Sequence, residues 1–235
     1  MPAHVPDGRT SRGTREKGAR CGKPRRAPLG CAFTTSCVPT FRGTPHAGGR
    51  LVPFRIEFKP IEIPLSKSVV LRVAEDDDVQ RWERSWRERL AREAEDDAAW
   101  NWRQHVERGR TFDGYLSLAA VSAERLEGLM SLSIAGSHCD PGEKLVYVEY
   151  VAVAPWNRRR QGRPEILGLG RALLRTAVRV SVEIGYSGRI GLHSKPVSEG
   201  FYRDKLKLLD LGPKMAEDGK WVYFEATPEV AKGLL

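Results

Sequence analysis

Between Leu145 and Arg175 an apolar strand runs through a basic, glycine-bearing loop straight into a long amphipathic helix, an order of elements that few folds accommodate. The strand reads Leu145-Val146-Tyr147-Val148-Glu149-Tyr150-Val151-Ala152-Val153, the loop runs from Ala154 to Leu167, and Gly168-Leu169-Gly170 opens the helix. Amides in the first turn of a helix have no intrahelical acceptor and attract anions, and glycine lets a ligand approach them closely. The unit is therefore built to hold a phosphate.

Spacing decides which phosphate. A dinucleotide fingerprint needs a small third residue at position 173, where Leu173 stands. A Walker loop needs Gly-Lys-Ser/Thr five places after its first glycine, but Leu167 follows Gly162 at that distance and no Gly-Lys-Ser/Thr follows Gly168. The segment instead resembles the acetyl-CoA loop of the GCN5-related N-acetyltransferases (GNAT), R/Q-x-x-G-x-G/A between a central strand and a helix. A second motif, Gly200-Phe201-Tyr202-Arg203, matches the family's Phe-Tyr pair by order and spacing, after the short strand Gly188 to His193.

The pattern also departs from the family. Glu165 occupies the place of the arginine or glutamine, and an acidic side chain near pyrophosphate is unfavourable. Gly168 lies thirteen residues after Pro155, where the compact loop would have six, so seven residues are inserted. The insertion brings Arg158, Arg159, Arg160 and Arg163, which would keep positive charge near the phosphates. After the Phe-Tyr pair, Lys207-Leu208 replaces the usual Gly-Phe.

The resemblance implies a mixed α/β fold of the acyl-CoA N-acyltransferase type, with a mostly antiparallel, twisted sheet flanked by helices. It implies transfer of an acetyl group from acetyl-CoA, as cosubstrate, to a primary amine by direct attack. Gly168, Leu169, Gly170, Arg158 and Arg163 would hold the phosphates, with Arg171 a further candidate. The backbone of Val151 and Val153 would meet the pantetheine and the thioester carbonyl, and Tyr202 would donate the proton to the CoA thiolate. A binding module without turnover is the alternative, suggested by Glu165 and the lengthened loop. The acceptor, a small-molecule or peptide amine, is not identified, and a homodimer is left open.

Direct attack needs a base and no covalent nucleophile. Gly185-Tyr186-Ser187-Gly188-Arg189 misses the last glycine of a nucleophile elbow, so a serine hydrolase does not fit. Glu149 is the one charged residue between Leu145 and Ala154, and regular alternation puts it on the face of Tyr147, Val151 and Val153. A carboxylate there is either a general base or a bulge residue paired to arginine or a backbone N–H, and in the family an acidic residue at this point often deprotonates the amine. His193, at the end of the next strand, is an alternative base.

The formal net charge of +9 is unevenly placed. Residues 1–50 hold ten Lys/Arg and two Asp/Glu, a net of +8; subtracting these from the totals of 39 and 30 leaves 29 and 28, a net of +1, over residues 51–235. A nearly neutral body argues against nucleic acid as the partner, and Phe33 and Phe41 are too few aromatics for base stacking by the tail. The tail is rich in Arg, Gly and Pro without period and is read as disordered. Nucleic-acid contact, targeting, or a translation start nearer Leu51 remain its alternatives. Its twin arginines Arg25-Arg26 precede too short and broken an apolar run for a signal peptide. Cys21, Cys31, Cys37 and Cys139 have no metal or redox spacing, so no metal and a reducing cytoplasm are expected, and no apolar run is long enough for a membrane helix.

The remaining pattern gives a strand over Phe54–Ile63, an amphipathic helix with Val79, Trp82, Trp86 and Leu90 on one face, and a second helix over Asp97–Arg108. A hairpin over Tyr115–Val121 and Leu126–Ile134 leads into the central strand, the helix after Gly168 ends near Gly185, and a short helix follows Thr227-Pro228.

Overall fold

The computed structural model describes residues 56–123, 125–159, 162–213 and 221–235. The tail of residues 1–50, with its expected disorder and its three cysteines, lies outside the described residues. Eight strands form one sheet in the order β1-β2-β3-β4-β5-β6-β8-β7: β1 Ile61–Pro64, β2 Ser68–Val73, β3 Tyr115–Ser122, β4 Arg125–Gly136, β5 Lys144–Val153, β6 Ile190–Ser194, β7 Leu209–Asp210 and β8 Val222–Ala226. Every pair is antiparallel except β5 with β6. The expected first strand over Phe54–Ile63 begins later than its pattern, at Ile61, with positions 54 and 55 outside the described residues; Pro64 pairs with Ser68 in a tight β1–β2 hairpin, and the sequence pattern did not show β2.

Helices cover both faces. On one, α4 (Leu169–Glu183) and α5 (Pro228–Leu234) pack on Leu118, Met130, Leu132, Val146 and Val148. Gly188 turns the chain from α4 into β6 with φ +81°, and a Cβ there would stand 2.7 Å from that of Ala231, so only glycine fits between the helices and the turn. The other face carries α1 (Asp76–Trp82), α2 (Glu88–Arg92) and α3 (Trp102–Thr111). Between α1 and α2 one π-helical turn, Glu83–Arg87, keeps the rod continuous, and Val79, Trp82, Trp86 and Leu90 are all buried, as their spacing demands. Glu83, in that turn, pairs with Arg103 of α3 at 3.1 Å. The second helix starts later than its pattern: Asp96–Ala99 form a 3₁₀ turn, and Asn101 caps α3 by accepting from the Gln104 N–H.

Buried Asp78 sets the entry to α1. It takes both guanidinium nitrogens of Arg72, at 2.7 and 2.9 Å, and the N–H of Glu75 at 2.9 Å, which closes a capping box. On the same face His105 is buried, with Nδ1 3.0 Å from the Tyr115 hydroxyl and its ring 4.1 Å from that of Tyr150. Burial, then the neighbouring Arg108, lowers its pKa from 6.5 to about 4. Between those two values the unfolded chain binds the proton and the folded one does not, so stability is full above pH 6.5 and falls as the pH drops toward 4. We expect roughly 3 kcal/mol of pH-dependent loss from this group, taking about 1.4 kcal/mol per unit. Denaturant midpoints at pH 7 and 4.5 for wild type and His105→Asn test it, and parallel losses in the two proteins would remove His105 as the source.

Candidate active site

The site begins where two central strands part. Parallel pairing of β5 with β6 covers Val146↔Ile190, Tyr147↔Gly191 and Val148↔Leu192 and stops there, although β5 continues to Val153. At that point β5 carries a bulge against β4: Ser131 faces Tyr150 and Leu132 faces Val148, so Glu149 has no cross-strand partner. A bulge bends and overtwists its strand, and here it swings the end of β5 away from β6 to leave a wedge.

The bulge also changes the expected faces. Val146 and Val148 lie in the α4 core, and Val151 and Val153 pack against the same core. Tyr147 and Glu149 lie on the opposite side, where Ser133 Oγ donates to Glu149 at 2.7 Å. Regular alternation put all four side chains together, and the extra residue reverses the phase after Glu149. The N–H of Ala154 donates to Glu127 O on β4, so by alternation the N–H groups of Val151 and Val153 point into the wedge.

Around Glu149 the helix-side face is aromatic and hydroxylated. Burial first, and the Glu149 carboxylate second, raise the pKa of the Tyr115, Tyr147 and Tyr150 phenols. The Tyr147 hydroxyl is 2.6 Å from His193 Nδ1, so the alternative base is hydrogen-bonded to a strand neighbour of Glu149.

The loop into α4 explains both departures from the family pattern. Buried Glu127 on β4 accepts from Trp156 Nε1 at 2.6 Å, Asn157 Nδ2 at 2.7 Å and Arg125 Nε at 2.7 Å. The Ile166 N–H donates to Asn157 Oδ1 at 2.9 Å, and the Glu165 N–H to Trp156 O at 3.3 Å. These bonds form a neck that brings Trp156 and Asn157 beside Glu165 and Ile166, and taking the seven positions between Asn157 and Glu165 out of the count restores the compact spacing of six. Glu165 itself turns outward to Arg125 at 2.7 Å and Lys67 at 3.1 Å, and those two cations hold its carboxyl below the usual range.

Gly168, with φ +83°, caps α4, and the first helical bond runs from the Ala172 N–H to Gly168 O. The Leu169, Gly170 and Arg171 amides are thus the orphan donors of the first turn. The Arg163 and Arg171 side chains are exposed and form no ion pair among the described residues. Arg158 does not stand free beside them. Its Nη2 is 2.6 Å from Asp97, its Nη1 3.6 Å from Glu95, and its Nε donates to Val153 O at 3.1 Å. The expected phosphate ligand is committed to buried Asp97 and half-buried Glu95, which the sequence could not show because Asp97 lies sixty-one residues earlier.

Tyr202 sits in a π-helical turn, Phe201–Lys205, with its ring 5.8 Å from Phe224. Burial, then Asp97, pushes its pKa up to about 12. Asp97 also accepts from Lys195 Nζ at 3.0 Å, so one carboxylate ties the loop after β5, through Arg158, to the chain after β6. Asp97, Lys195, Ser133 and Glu127 were not singled out in the sequence, where each reads as an ordinary surface residue. Among the described residues no cluster of metal-binding side chains occurs, and no helix is long and apolar enough to cross a membrane.

A splayed parallel pair at the centre of an otherwise antiparallel sheet, with a glycine-capped helix following the splayed strand, is the fold of the GCN5-related N-acetyltransferases, and this chain has it. The GNAT domain of S. lividans PAT is similar at 18% identity, over 72% of this chain and 99% of that domain, with a TM-score of 0.50. An uncharacterized protein from Bacillus halodurans is similar at 11% identity, over 74% of this chain and 93% of that one, with a TM-score of 0.51. No family model matches the sequence, and a comparison with curated proteins found no match.

Proposed function

We propose that this chain is an N-acetyltransferase that takes the acetyl group of acetyl-CoA to a primary amine, a small molecule or a peptide. The observation that carries the reading is the coincidence of a strand wedge, the bulge carboxylate of Glu149, hydrogen-bonded by Ser133 Oγ, and three first-turn amides at the following helix start. The amides of Leu169, Gly170 and Arg171, after Gly168, would bind the pyrophosphate, with the exposed Arg163 and Arg171 adding charge. The Val151 and Val153 amides would hold the pantetheine and the thioester oxygen. Arg158 then serves by shaping the wedge through Asp97.

In the reaction the amine nitrogen attacks the acetyl carbon while Glu149 takes its proton, directly or through a water. The oxyanion that forms is stabilised by amides in the wedge, a contribution of about 3 kcal/mol for a well-placed donor. Collapse breaks the C–S bond, and the thiolate takes a proton from Tyr202. A phenol with a pKa near 12 is fully protonated at neutral pH, as a donor must be.

Calorimetric titration of the chain with acetyl-CoA and then CoA, followed by thiol release with a panel of amines, tests the reading. Micromolar binding with amine-dependent thiol release supports it, and no binding by folded protein discards it. Binding without release would favour the second reading, a module without turnover, to which the Arg158–Asp97–Lys195 tie across the wedge lends weight. Tyr202→Phe should lower kcat about a hundredfold while leaving acetyl-CoA affinity unchanged. An unaltered kcat would take Tyr202 out of the acid role.

A further inference from the structure

From Glu149 a row of rings leads away along the helix-side face. The Tyr150 ring lies 4.8 Å from that of Trp100, and the Lys195 ammonium stands 4.8 Å over the Trp100 ring. That ammonium is also 3.0 Å from Asp97 and 3.2 Å from Asp96. An alkylammonium is thus already seated on this face, held by a carboxylate and the π-face of an indole, the two groups that recognise such a cation. The seat is half dry: the side chains of Lys195 and Asp97 are 18% and 12% exposed, whereas Asp96 is 78% exposed and contributes little. Arg158 holds the other oxygen of Asp97, so the carboxylate keeps its place whether or not Lys195 is there. The guest itself is on a flexible four-carbon stem and can leave.

We propose that the acceptor is an aliphatic diamine. Its reacting nitrogen goes to Glu149, its methylene chain lies over Tyr150 and Trp100, and its distal ammonium takes the Asp97–Trp100 seat from Lys195. The transfer step rests on the N-acetyltransferase reading; the seat does not. A monoamine of the same length cannot fill the seat, and an amine ending in a carboxylate would bring like charge to Asp97.

Calorimetry on the full chain with putrescine, 1,6-diaminohexane and 1,8-diaminooctane, against hexylamine and 6-aminohexanoate, tests this, with thiol release from acetyl-CoA read in parallel. At least one diamine should bind about tenfold more tightly than hexylamine, as a partly desolvated cation site of this kind provides. Lys195→Met, which removes the tethered competitor and leaves the Asp97–Arg158 pair intact, should raise diamine affinity severalfold and leave hexylamine unchanged. Asp97→Asn should erase the preference. Equal binding of diamines, hexylamine and 6-aminohexanoate, no binding of any diamine, or a diamine affinity lowered or unmoved by Lys195→Met would overturn the proposal. Selective diamine binding without thiol release would instead overturn the transferase reading alone, and thiol release without diamine preference would overturn the proposal alone.

Discussion

Glu149→Gln is expected to lower kcat by about a hundred- to ten-thousandfold, the span that a positioned general base contributes. The substitution keeps the size of the side chain and its acceptor for Ser133 Oγ, so the bulge and the wedge should survive. Acetyl-CoA affinity should therefore be unchanged, because the phosphate donors belong to α4 and the pantetheine donors to the backbone of β5. Equal losses in kcat and in acetyl-CoA binding would mean that Glu149 holds the bulge together and performs no proton transfer. Activity within a few-fold of wild type would move the base to His193, which Tyr147 links to the same face.

Glu127→Ala should cost about 3 to 5 kcal/mol of stability, since a buried carboxylate that serves several donors is lost and Trp156 Nε1 and Asn157 Nδ2 are left without their acceptor. In a domain of this size that corresponds to a fall in Tm of roughly 6 to 20 °C. The damage should reach function in the protein that remains folded. Asn157 holds the Ile166 N–H, and through it the neck that sets the approach to Gly168, so acetyl-CoA affinity should drop at least about tenfold. Thermal denaturation and calorimetry read the two effects separately. A destabilised protein with full acetyl-CoA affinity would show that the α4 start is set by Gly168 and the helix alone.

Much of the fold was legible because it depends on local pattern. Val79, Trp82, Trp86 and Leu90 recur at helical spacing and are buried together, and the β3–β4 hairpin and α4 fall where alternation and the glycines put them. The β2 strand escaped because Ser68–Val73 is short and follows a proline-ended run that reads as one strand. The site was legible only in part. Glu149 stood out as a lone charge in an apolar strand, but its face was misread because a bulge is a property of two strands, and the extra residue on β5 can be counted only against β4.

From the sequence alone came the order of elements from the β3–β4 hairpin through β5 to α4, the glycine-capped helix start and the Phe-Tyr motif, since each is a run of neighbours whose spacing carries the physics. Tertiary structure alone decided the wedge, the neck that joins Trp156 and Asn157 to Glu165 and Ile166, the outward turn of Glu165 and the commitment of Arg158 to Asp97. Each of these is an electrostatic or hydrogen-bonding choice among partners tens of residues apart, and a charged side chain takes whichever opposite charge the folded sheet brings within reach.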